Sequence, residues 1–170
     1  MKKIVRSGSF QKEGTAMKYI GTVISVSDIK ASRKFYEELF GLEVFQDYGR
    51  NISFSCGLSL QQDFDRLVSI PKEKVLKGSN NIELYFEEED FDSFLKKLEN
   101  HPSIRYVHDA KEQSWGQRTV RIYDVDSHII EVGEDMKRVV RRFLESGLST
   151  EETSKRMNVS ISDLEKILGN

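Results

Sequence analysis

The strongest constraint in this sequence is that its pattern repeats. Residues 18–62 and 81–134 each read as a strand, a helix and three further strands. One such unit makes a sheet with two faces and offers a single helix to cover them. Two units are therefore expected to pair around a shared core. This predicts an α+β protein in which two βαβββ modules form a curved open mixed sheet, with a connector over 63–80 and a domain spanning 17–134.

In the first unit, Tyr19, Ile20, Val23, Ile24 and Val26 favour a strand over 18–27. Asp28 suits a helix N-cap, and Ile29, Ser32, Phe35, Tyr36 and Leu39 then share one helical face before Gly41. Strands follow over 42–47, 51–55 and 58–62. In the second unit, a strand over 81–87 leads to Asp90, a cap for a helix presenting Phe91, Phe94, Leu95 and Leu98. A strand over 104–108 comes next, and a hairpin from Trp115 to Glu134 closes the unit. There Val120 and Ile122 alternate with Arg121 and Tyr123, the period of a half-buried strand. Asp124-Val125-Asp126-Ser127 supplies the turn, and His128 to Val132 returns. The connector is long for an empty loop, and a helical turn is expected at 72–77.

Glu131 stands on that last strand among apolar neighbours. Burying a carboxylate there is costly unless it is paired or bound to a metal. Setting the two halves against each other places Gly57–Gln61 opposite Ser127–Glu131, so Gln61 is the internal partner of Glu131.

Two stretches carry a family resemblance. "WGQRTVRIYDVDSHIIEVGE" resembles the closing hairpin of the vicinal oxygen chelate superfamily, which includes glyoxalases, bleomycin resistance proteins and extradiol dioxygenases. "DIKASRKFYEELFGLEV" is similar to that superfamily's first helix. Val125 and Ser127 replace the proline and glycine usual in its turn. A non-glycine residue at positive φ costs roughly 1 kcal/mol.

The resemblance implies a divalent ion held between the repeats by their first and last strands. The ligand set it implies here is Glu131, Glu83 and Gln61, with Asn81 as the alternative to Glu83 and Gly21 at the fourth place. Glycine has no ligand atom. Oxygen-only ligation suits a hard ion best; the cofactor implied is Mg²⁺, Mn²⁺, Ni²⁺ or Zn²⁺, or none. In the catalytic reading Glu131 holds the ion, which stabilises an enediolate as a Lewis acid, and His108 acts as acid or base. Trp115 and Arg118 are the substrate-binding candidates, a stacking face and an anion fork; the plainer reading packs Trp115 on the sheet edge and pairs Arg118 with a local acid. The implied function is glyoxalase-like: binding a small oxygenated molecule in the cleft between modules, as a metal-dependent lyase or isomerase. The alternative is metal-free sequestration of a small molecule, of the antibiotic-resistance kind. Glu131 then needs a partner such as Arg118 or Arg121.

A net charge of −2 over 170 residues gives no prior for nucleic acid or acidic membranes, and no apolar run reaches the length of a membrane span. The single cysteine, Cys56, excludes an internal disulfide and fits a reducing cytoplasm; it reads as a packing residue. Residues 1–16 look like a leader or tag, expected to be disordered.

Residues 135–170 read as a tail of amphipathic helices, with Ser149 and Glu152 forming a capping box. The stretch from Ser149 resembles a helix-turn-helix, which raises a remote alternative, a ligand-sensing DNA-binding regulator. Its three basic residues against four acidic ones oppose phosphate binding. The tail is expected instead to pack on the sheets or on a second subunit. A homodimer is expected, with Phe143 and Leu144 as interface candidates, and neither nucleic acid nor membrane as a partner.

Overall fold

The computed structural model describes residues 17–101 and 103–169. The leader-like stretch 1–16 lies outside the described residues. Module one consists of β1 (Thr22–Val26), α1 (Ile29–Phe40), β2 (Val44–Asp47), β3 (Asn51–Phe54) and β4 (Leu58–Gln62). The connector contains α2 (Phe64–Val68) and a 3₁₀ turn at Lys72–Lys74. Module two consists of β5 (Glu83–Glu88), α3 (Phe91–Glu99), β6 (Arg105–Glu112), β7 (Arg118–Tyr123) and β8 (Ile129–Glu134).

Local chemistry starts the helices where the sequence predicts. The Asp28 carboxylate accepts from the amides of Lys30 and Ala31 at 2.9 and 3.2 Å. Asp90 accepts from the amide of Ser93 at 3.1 Å. These bonds satisfy amides that the first helical turn leaves without partners. All five residues of the predicted α1 face are buried.

The strands form two four-stranded mixed sheets with the same order, β1-β4-β3-β2 and β5-β8-β7-β6. In each, the first and last strands run parallel and the remaining pairs antiparallel. The repeat seen in the sequence is thus a repeat of topology. β6 runs on to Glu112 rather than ending at 108, through two register shifts against β7. The connector's helical turn is shorter than expected, and α2 is an addition to it.

One hydrophobic cluster joins both modules, from Ile24, Tyr36 and Leu60 to Phe94, Ile122 and Ile130. Phe40 of α1 stacks on Phe86 of β5 with ring centroids 4.7 Å apart.

The β7–β8 turn fastens the modules together. Asp124 accepts from the amides of Asp126 and His128 at 2.9 and 2.8 Å, and from the Tyr36 hydroxyl at 2.8 Å. Asp126 takes bonds from Ser27 and Lys77. Ser127 adopts φ 72°, so the turn keeps its left-handed residue without a glycine. The Asp124 bonds on both sides of it offset that cost.

The tail comprises α4 (Met136–Glu145), α5 (Thr150–Met157) and α6 (Ile161–Leu168). The predicted capping box is present, with both Ser149–Glu152 bonds. Val139, Val140, Phe143, Met157 and Leu164 form a second core. Phe143 lies against Gly116 so closely that a Cβ there would fall 2.2 Å from the ring. Around it, Arg142 bonds the Gly116 carbonyl at 2.6 Å and the Glu134 carboxylate at 3.1 Å. Arg156 bonds Glu112 at 2.6 Å and also the Ser114 carbonyl. Phe143 is therefore buried within its own chain and is not available as an interface residue. No helix of the described residues is long and apolar enough to cross a membrane.

Candidate functional site

Side chains directly opposite in a sheet share a face. In the second sheet Tyr85 lies opposite Glu131, Arg121 opposite Glu131, and His108 opposite Arg121. Val120, Ile122, Ile130 and Val132 occupy the other face and are buried in the core. Three of the candidate residues therefore converge, and they converge on Arg121. Its Nε donates to Glu83 at 2.9 Å, its Nη1 to His108 Nε2 at 3.1 Å, and its Nη2 pairs with Glu131. Glu131 is buried; Glu83 is partly exposed.

The His108 tautomer follows from these partners. Its Nδ1 lies 2.8 Å from the Asp109 carbonyl, which only accepts, so Nδ1 carries the proton. Arg121 only donates, so Nε2 is bare. Both constraints describe one neutral imidazole.

Gln61 is on the first sheet, with Asn51 opposite. The Asn51 amide donates to Gln61 Oε1 at 3.0 Å, and Gln61 donates to the Gln62 carbonyl at 2.6 Å. Asn51–Gln61 in the first module thus repeats, without charge, the Arg121–Glu131 pair of the second. Register also decides between the alternatives left open on β5. Ser25 pairs with Gln61 and Tyr85 with Glu131, so Gly21 corresponds to Asn81, and Glu83 corresponds to Val23.

Gly21 has a steric cause. A Cβ at that position would stand 1.9 Å from the Gly57 carbonyl oxygen. The backbones approach too closely for any ligand-bearing side chain.

The implied metal does not fit this donor set. The residue that the resemblance makes the final ligand is ion-paired to Arg121, and Glu83 is bonded to the same guanidinium. Gln61 is tied within the other sheet, and the fourth place is closed to side chains. Among the described residues no group of three or more His, Cys, Asp or Glu is arranged to hold an ion.

Trp115 and Arg118 are not brought to this cluster. Arg118 projects from the opposite face of β7, where it bonds Asp92 at 2.8 Å and Glu134 at 3.2 and 3.3 Å and lies 5.2 Å from the Phe91 ring centre. Trp115 sits in the β6–β7 loop and donates to Gln117 Oε1 at 3.1 Å. Gln117, which the sequence reading did not single out, then reaches the site: its Nε2 donates to the Tyr85 hydroxyl at 2.8 Å. Cys56, expected to be a packing residue, is exposed.

Two cavities adjoin here, sharing Ile20, Gly21 and Gly57. One, of about 490 Å³, lies between the modules against Tyr19, Thr22, Leu58, Glu83 and Tyr85. The larger, of about 630 Å³, spreads over module one against Val23, Phe45, Ser53, Ser55 and Ser59. The sequence reading put the binding cleft between the modules and missed this second part. The signal for it is the run of serines alternating with core residues along β3 and β4.

The glyoxalase-like domain model matches residues 19–137, the greater part of the chain. A protein of unknown function from Agrobacterium tumefaciens str. C58 is 31% identical, with a TM-score of 0.62, covering 72% of this chain and 97% of its own. A lactoylglutathione lyase from the same species is 24% identical, with a TM-score of 0.53 over 72% of this chain and 96% of its own. A glyoxalase/bleomycin resistance protein/dioxygenase family enzyme from Burkholderia phytofirmans PsJN is 13% identical, with a TM-score of 0.59 over 68% of this chain and 96% of its own. The last two likenesses show the fold alone. No curated protein matches the sequence. The chain belongs to the glyoxalase-like domain family, within the vicinal oxygen chelate superfamily. That match ends at Lys137, so nearly all of the helical tail lies outside it.

Proposed function

We propose that the chain binds a small, uncharged, oxygenated molecule with an apolar body, and holds it without the help of a divalent ion. The observation that carries this reading is the cavity of about 630 Å³ over module one, none of whose described lining residues is charged. Its volume suits a small organic ligand. Ile20, Val23 and Phe45 supply apolar surface, and Ser53, Ser55 and Ser59 supply hydroxyls. The Ser53 and Ser59 hydroxyls bond each other at 2.9 Å, which leaves one of their two protons free to donate to a ligand oxygen. A charged ligand would be desolvated there without an ionic partner, at considerable cost. Sequestration is therefore favoured over metal-assisted lyase or isomerase chemistry, for which the donor set around Glu131 is already taken.

The neutral fluorophore N-phenyl-1-naphthylamine tests this. Its emission should rise saturably with the protein, and chelator should leave the titration unchanged. Val23→Arg, which brings a charge into the cavity, should weaken binding by about tenfold or more. Absence of saturable binding, or binding that needs added Mg²⁺ or Mn²⁺, would contradict the proposal.

A further inference from the structure

We propose that the cavity between the modules is a second binding site, for a small organic ammonium ion with an apolar substituent. Charge separates it from the cavity over module one. No described lining residue of that cavity is charged, whereas the cavity of about 490 Å³ between the modules is lined by one charged residue, Glu83. Arg121 holds Glu83 through Oε2, and among the described residues Oε1 makes no hydrogen bond. The same guanidinium also pairs with Glu131 and donates to the neutral His108. Two carboxylates thus share one cation, and the excess negative charge falls to the more exposed of them, Glu83, which lines the cavity. An anion would find no free cation there, because Arg121 is already fully engaged.

The walls suit an organic cation. Glu83 and Tyr85 stand two residues apart on one face of β5, about 7 Å along the strand, so an ammonium group can reach both. Tyr85 is half-exposed, and its ring is held in place from two sides. Its hydroxyl donates to Glu87 and accepts from Gln117, each at 2.8 Å. Its edge lies so close to Gly133 that a Cβ there would stand 3.3 Å from the ring. Module one brings Tyr19 to the same cavity, its hydroxyl bonded to that of Thr22 at 2.5 Å. A cation between Glu83 Oε1 and an aromatic face gains from both, and a ring already fixed loses little freedom on binding. An organic ammonium needs one such counter-ion, where a divalent metal needs several oxygen ligands. The site stands independently of what the module-one cavity binds.

Benzyltrimethylammonium tests this, with benzyl alcohol as an uncharged counterpart. In a methyl NMR titration at low salt, the ammonium ion should shift the Leu84 signals saturably and leave those of Val23, in the module-one cavity, in place. Benzyl alcohol should bind at Leu84 about fivefold more weakly, or less tightly still. Glu83→Gln should weaken binding of the ammonium ion by about fivefold or more. Tyr85→Leu should do the same, while Tyr85→Phe, which keeps the ring, should bind within about twofold of the unmutated protein. The proposal is overturned if Leu84 shows no saturable shift, or if benzyl alcohol binds as tightly. It is overturned equally if Glu83→Gln or a folded Tyr85→Leu binds undiminished, or if Tyr85→Phe loses as much as Tyr85→Leu.

Discussion

Asp126, in the closing turn of module two, accepts both the amide and the hydroxyl of Ser27 in module one, at 2.9 and 2.6 Å. Lys77 from the connector joins the same carboxylate at 3.0 Å. Hydrogen bonds to a buried charge are among the stronger single contributions to stability. Asp126→Ala should therefore cost about 3 kcal/mol in urea unfolding, because it leaves the Ser27 amide without its partner.

The same carboxylate sets an acid limit. Burial pushes the Asp126 carboxyl up, but the Ser27 bonds and then Lys77 outweigh it and hold it below its usual value. A carboxyl lowered in the folded state stabilises the fold above its unfolded pKa, and that contribution is lost as pH falls through the folded one. Unfolding free energy should fall as pH drops below about 4, and the fall should be smaller in Asp126→Asn.

Two tyrosines should resist ionisation. Burial pushes the Tyr85 phenol up to about 12; the bond from Gln117 opposes this and Glu87 adds to it. Burial, then the Asp124 carboxylate, raises Tyr36 well above its usual value. A phenol raised in the folded state stabilises the fold below its unfolded pKa, near 10, and that contribution is lost as pH rises through the folded value. Ultraviolet titration should show a phenol component ionising late, near pH 12. Tyr85→Phe should remove a late component.

Trp115 is the single tryptophan of the chain, so its emission reports on the loop that the tail holds. Phe143→Ala should cost about 3 kcal/mol and shift that emission, since Phe143, Arg142 and Arg156 all press on residues 114–116. An unchanged spectrum in the folded variant would show that the tail does not position the loop.

The α5–α6 pair should not bind DNA. Asn158 turns the chain at φ 57° and Ser160 caps α6, much as a helix-turn-helix requires. On α6, however, Asp163 bonds the lone Lys166 at 2.8 Å, and Glu165 is exposed. Nucleic-acid affinity depends on unpaired cations reaching phosphates. Gel-shift titration with duplex DNA at low salt should show no submicromolar complex.

Much of the fold was legible because it rests on local rules. Asp28 and Asp90 cap their helices, apolar spacing marks the buried faces of α1 and α3, and alternation marks β7. The partner of Glu131 was narrowed to Arg118 or Arg121, and periodicity could have decided between them. Arg121 alternates with the core residues Val120 and Ile122, whereas Arg118 shares their face. The reason for Gly21 was not legible, since it lies in the backbone of Gly57, a neighbour only after folding. Nor was α2, whose five residues are too few to show a helical period. The uncharged cavity was hidden for a similar reason: alternation puts Ser53 and Ser59 opposite the core, but not against Phe45.

Methyl NMR gives the most direct test of ligand binding in that cavity. With N-phenyl-1-naphthylamine added, the Ile20 and Val23 methyl signals should shift saturably, and by the same amount with chelator or with added Mg²⁺. The Val120 and Ile130 methyls, on the core side of the second sheet, should stay in place. Shifts that appear only with a divalent ion, or none at Ile20 and Val23, would contradict a metal-independent binding site on module one.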